Sequence, residues 1–142
     1  MTTKTVTTVT ATGSVEVKSW EEKTWDGKAW NEVSGSKLTR AVVEQDFHGD
    51  LEATSRVEFE MFYPDDQSST YIGLQQVTGS LGGKSGSFVL QINGTYAEGT
   101  AKSTFSVVPN SGSGELRGLK GTGSFISVDH TRSGFTFDYE LE

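Results

Sequence analysis

The stretch Thr70 to Tyr96, TYIGLQQVTGSLGGKSGSFVLQINGTY, decides the fold. Two runs rich in Ile, Leu, Val, Phe and Thr flank a glycine-rich connection, Ser80-Leu81-Gly82-Gly83-Lys84-Ser85-Gly86. β-Branched and aromatic side chains suit a pleated, half-buried surface, and glycine supplies the positive φ of a tight turn. The pattern predicts a long β-hairpin whose arms each match a barrel or sandwich strand. In the second arm Phe88, Leu90 and Ile92 alternate with Gln91 and Asn93, which gives one apolar face. In the first arm Tyr71, Gln75 and Val77 oppose Ile72, Leu74 and Thr78, so both faces carry apolar side chains. Such an arm predicts a central strand covered outside by a partner subunit or by the chain terminus.

The same period of two recurs in both directions along the chain. Upstream, Leu51, Ala53, Ser55, Val57, Phe59, Met61 and Tyr63 alternate with Glu52, Thr54, Arg56, Glu58 and Glu60. A slip of one residue there buries glutamates, so the register is tightly specified. Ala41, Val43, Gln45 and Phe47 share a phase before a turn about His48-Gly49-Asp50, and Pro64 is expected to end the following strand. Val9, Ala11, Gly13, Val15, Val17 and Ser19 mark a first strand. The segment after it, with Trp20, Trp25 and Trp30 about Asp26-Gly27, fits neither a helix nor a strand face. It is expected to be a loop or irregular edge folding over one mouth of a barrel. Downstream, Ala101, Ser103, Phe105 and Val107 form a strand stopped by Pro109. The loop Asn110 to Gly123 is expected to hold a helical turn across Glu115-Leu116-Arg117, pinned by Leu116 and Leu119. Phe125 and Ser127 lead through Asp129-His130 to a last strand with Phe135, Phe137, Tyr139 and Leu141. About eight strands joined by sequential hairpins predict an all-β, antiparallel closed barrel, because closure removes two edges that this chain does little to protect.

A chain of 142 residues is expected to form a single domain over 1–142, with 1–8 a loose tail. A net charge of −7 argues against a nucleic-acid or anionic-membrane surface. The apolar runs fall short of a membrane span, and the N-terminus lacks the apolar core of a signal peptide. With no cysteine there are no disulfides or thiolate metal sites, and a cytoplasmic location is expected.

Motifs of catalysis are weak. Gly79 to Ser85, GSLGGKS, has three residues where a phosphate-binding loop needs four, and a strand follows it instead of a helix. Gly112 to Gly118, GSGELRG, has no βαβ context for a dinucleotide. His48 and His130 each lie beside a turn, near Asp50 and Asp129, without the further ligands a metal requires. No serine sits in a nucleophile elbow. No cofactor and no metal are expected.

Several segments together resemble an uncharacterised family of small bacterial proteins known only as a domain of unknown function. They are KLTRA at Lys37 to Ala41, GDLE at Gly49 to Glu52, YIGLQQVTGSLGGKSGSFVLQ, and VVPNSGSGELRGLKGTGSF. The resemblance spans roughly residues 11 to 142. It implies a short antiparallel barrel similar to the allene oxide cyclase and dirigent barrels, often oligomeric, and leaves the activity open. It also implies that the positions of Gln75 and Ile92 commonly carry glutamate and histidine, an acid/base pair that this chain lacks.

An eight-stranded barrel is just wide enough to be filled by side chains or to hold one small ligand. The inward phase contains Val17, Phe59, Met61, Tyr71, Gln75, Leu90, Ile92, Phe105, Phe137 and Tyr139. The expected ligand-binding residues among them are Tyr71, Gln75, Ile92, Phe59, Met61, Leu90, Phe105 and Tyr139. Three readings follow. One is a module binding a small apolar molecule oriented by Tyr71, Gln75 and Tyr139. Another is a cyclase or isomerase that shapes a small apolar substrate. The last is a solid barrel acting through its oligomer surface. A homo-oligomer is expected, and no interior ionisable group with a perturbed pKa is expected on the Gln75 side of the barrel.

Overall fold

The computed structural model describes residues 7–127 and 132–141. Eight strands follow one another: β1 Val9–Thr24, β2 Lys37–Gly49, β3 Leu51–Asp65, β4 Ser68–Leu81, β5 Lys84–Ala97, β6 Thr100–Val107, β7 Lys120–Ser127 and β8 Arg132–Glu140. Each pairs antiparallel with the next, and β8 returns to β1, so the sheet closes into a barrel in chain order. The expected fold class is therefore the observed one. Among the described residues no helix is long and apolar enough to cross a membrane.

The hairpin that organises the chain is β4–β5. Leu81 pairs with Lys84, which leaves only Gly82 and Gly83 in the turn, at φ +56° and +83°. Two successive positive φ values define the type I′ turn whose twist matches its flanking strands. Tyr71, Gln75 and Val77 face inward, and Ile72 and Leu74 face outward, where they are 55% and 56% exposed. The expected cover over that outer face is not supplied by the described residues of this chain.

Two departures from simple alternation shape the ends of the barrel. First, β1 continues to Thr24, so Trp20 is a strand residue and not the start of a loop. The register of β1 against β2 shifts between Val17 and Ser19, a bulge at Lys18. An extra residue inverts the in-out order beyond it. Ala11, Val15 and Val17 face inward before the bulge, and Glu22 and Thr24 are buried after it. Second, β3 runs through Pro64 to Asp65, because the register breaks between Phe62 and Asp65 and leaves proline without a ladder hydrogen bond to supply. At the β2–β3 turn, His48 Nδ1 lies 3.4 Å from Glu52, while Asp50 accepts from the Thr12 amide at 2.9 Å. His130 and Asp129 lie outside the described residues.

The core divides by height. At the end holding the β2–β3 and β4–β5 turns, Leu51, Leu81, Phe88, Leu90, Val107 and Phe137 pack solidly. A 3-10 turn at Gly114–Leu116 caps this end, and Leu116 and Leu119 are buried as expected. The Ser113 amide donates to the Ser87 carbonyl at 2.9 Å, which fastens the cap to β5. The approach is so close that a Cβ on Gly86 would stand 2.0 Å from the Ser113 carbonyl oxygen. Higher in the barrel, inward glycines lie under the rings of their cross-strand partners. Gly73 is opposite Phe59, Gly94 opposite Tyr71 and Gly123 opposite Phe105. A Cβ at these glycines would meet the ring at 2.6, 2.4 and 2.3 Å. The missing side chains let the rings lie flat on the wall.

Candidate functional site

The other end of the barrel is hollow. A cavity of about 560 Å³ opens among the β1–β2, β3–β4 and β5–β6 connections. Its apolar wall includes Val17, Phe59, Met61, Tyr71, Ile92 and Phe125. Phe59 meets Tyr71 edge-on with centroids 5.1 Å apart, and Trp20 leans over Phe59 at 6.5 Å. Trp30, in a 3-10 turn at Trp30–Glu32, stands at the rim with Asp66 and Arg132. Trp20 and Trp30 thus border the mouth, as the sequence suggests, while Trp25 is 63% exposed and stands apart.

Of the residues expected to bind a ligand, Phe59, Met61, Tyr71 and Ile92 come together on the cavity wall. Leu90, Phe105 and Tyr139 are buried but lie off that wall, and Tyr139 belongs to the plugged end beside Gly82. Gln75 is fully buried one layer behind the cavity. Its Nε2 donates to Gln45 Oε1 and to Ser55 Oγ, both at 2.9 Å, and Gln45 in turn reaches the wall. Gln75 Oε1 has no partner among the described residues.

The principal polar feature of the cavity was absent from the sequence expectations. Glu22 is 7% exposed and lies on the wall. Its Oε2 accepts from Thr39 Oγ1 at 2.7 Å and from the Tyr63 hydroxyl at 2.5 Å. Its Oε1 accepts from the Trp20 indole N–H at 3.0 Å. Among the described residues no Lys, Arg or His forms an ion pair with it. Burial, then the hydrogen bond to Glu22 and that carboxylate's charge, push the Tyr63 phenol far above its ordinary range, with Thr39 opposing. Burial likewise raises the Tyr71 phenol, opposed by Ser103. Both stay neutral hydroxyls at physiological pH. The Lys37 ammonium sits 5.1 Å above the Trp30 ring and 5.0 Å above the Tyr63 ring, donating to the Trp30 and Val33 carbonyls.

Glu22 escaped the sequence reading because a bulge is a backbone event. Simple alternation from Val15 and Val17 sends even-numbered residues outward. The doublet Glu21-Glu22 offers a carboxylate to either phase, so the hydrophobic pattern does not choose. The one available signal is Trp20, whose size is better placed inside than out.

Comparison with known proteins gives a family without a role. The model of a family described as "Protein of unknown function (DUF3224)" matches residues 11–139. Among solved structures, the chain is similar to a protein of unknown function from the DUF3224 family of Shewanella oneidensis MR-1. The two are 34% identical with a TM-score of 0.74, over 97% of this chain and 99% of that one. No curated protein matches.

Proposed function

The chain belongs to the DUF3224 family, and on that premise we propose that its barrel is a receptacle for a small, largely apolar molecule. The observation that carries this reading is the cavity of about 560 Å³, walled by aromatic and aliphatic side chains and plugged at one end. Small-molecule sites have this character, at about 300–1,000 Å³ with few polar groups. A solid barrel is disfavoured by the same volume. We also propose a cytoplasmic location, which a chain without cysteine fits.

The test is direct. A neutral, polarity-sensitive dye such as Nile red should brighten on mixing with the protein, and a Met61→Trp variant, which narrows the cavity, should brighten it less while melting normally. Equal brightening by both proteins would remove the cavity as the binding place.

A second reading, a cyclase or isomerase acting on a small apolar substrate, is favoured by Glu22, a carboxylate positioned to face a bound molecule. The receptacle is preferred because three protein donors already hold the Glu22 oxygens, which suits a fixed recognition point. The outer stripe of Leu38, Phe62, Ile72 and Leu74 on β2, β3 and β4 supports a homo-oligomer in which a second copy covers it. A closed barrel offers no strand edge, so that contact is face to face.

A further inference from the structure

We infer that the molecule held in the cavity carries a protonated amine, which binds Glu22 while its apolar body fills the barrel. This rests on the receptacle reading and specifies its ligand class. A buried carboxylate is costly unless its charge is met. Here it is met by three neutral donors and, among the described residues, by no cation. A carboxylate has about four acceptor positions, so about one is left, on a side chain that faces the cavity.

The surroundings favour the same chemistry. Trp20, Phe59, Tyr63 and Trp30 gather round the opening, and aromatic faces attract ammonium groups. The chain itself shows this preference, since the Lys37 ammonium already lies over Trp30 and Tyr63. Lys37 forms no ion pair with Glu22, and two of its three donors go to backbone carbonyls. Arg132, on the same rim, has interactions of its own, and Asp66 adds a second carboxylate there. The net charge of −7 draws cations towards the protein. An anionic head of the fatty-acid kind would meet Glu22 as a like charge.

Octylamine, octanol and octanoate share a chain and differ in the head. Binding of each to the full chain at neutral pH can be followed by titration calorimetry and by tryptophan fluorescence, to which Trp20 and Trp30 at the mouth contribute beside Trp25. Octylamine is expected to bind about tenfold or more tighter than octanol, as a hydrogen bond to a charged group implies, with octanoate weakest. Glu22→Gln should erase that lead. Glu21→Gln, which removes the same charge from the outer face, should leave the lead intact. Octanol or octanoate binding as tightly as octylamine would overturn the inference and spare the receptacle. So would an amine preference that survives Glu22→Gln. If none of the three binds, the receptacle reading falls and the inference with it. Should Glu22→Gln fail to fold, the carboxyl 13C chemical shift of Glu22 in the native chain decides. It should move with octylamine and not with octanol, and a shift unmoved by octylamine overturns the amine assignment.

Discussion

The Tyr63 hydroxyl on β3 donates to Glu22 Oε2 on β1 at 2.5 Å, spanning the intervening strand β2. Thr39 on β2 donates to the same oxygen, so three strands converge on one carboxylate. The contact exists because the bulge at Lys18 turns Glu22 inward. Burial first, and then this contact, hold the Tyr63 phenol above its ordinary range.

A raised phenol pKa means that the folded chain holds the Tyr63 proton more tightly than the unfolded chain does. The folded state then binds more protons above the ordinary phenol range, so stability falls as pH rises there and is flat below it. Tyr63→Phe should remove part of that alkaline loss. At neutral pH the same variant should lose about 1.5–3 kcal/mol, the value of a hydrogen bond to a charged group. Urea melts of both proteins across neutral and alkaline pH check both signs.

Gly94→Ala should destabilise the barrel. The added Cβ stands 2.4 Å from the Tyr71 ring, which must leave its place against β5. Overpacking of this kind costs about 1–3 kcal/mol, visible as a melting point lower by several degrees. Because Tyr71 lines the cavity, dye binding should weaken as well.

Leu116→Ala should cost about 2–5 kcal/mol, since Leu116 is fully buried in the plug. Dye or amine affinity should stay unchanged in the protein that remains folded, because the plug lies away from the cavity. Denaturant melts and a binding titration on the same sample separate the two quantities.

Gln75→Glu tests the layer behind the cavity. A carboxyl at this fully buried position should have a raised pKa through desolvation. Protonated, it can donate to Gln45 Oε1 and replace the lost amide bond. The variant should therefore be near native stability in acid and lose stability as pH rises through that carboxyl's raised range. Stability that is independent of pH relative to the parent would show that charge is tolerated there.

Leu74→Glu should leave the fold intact, because the side chain is 56% exposed, and lower the mass of any assembly that uses this face. Light scattering after size-exclusion chromatography measures it. An unchanged oligomer would place the interface elsewhere.

The fold was legible because long strands advertise their faces. From Leu51 to Tyr63 only one register keeps Glu52, Glu58 and Glu60 in water, and Gly82-Gly83 fixes the hairpin that sets the next register. Alternation reports inside against outside but not height along the barrel. Phe59 and Met61 were therefore indistinguishable from Leu90, Phe105 and Tyr139, although the first two face the cavity and the others do not. Height is decided by which connections carry a cap, and that depends on Leu116 finding its place over the far opening. Glu22 was missed for a different reason, since the bulge leaves only Trp20, out of phase with Val17, as its mark in the hydrophobic period.

The cap at Leu116 has an effect on how this protein can change over time. With the barrel sealed and solidly packed at that end, side chains round the open bowl carry a smaller share of holding the molecule together. New shapes and charges can be tried there one at a time, each altering what is admitted, while the foundation beneath stays set.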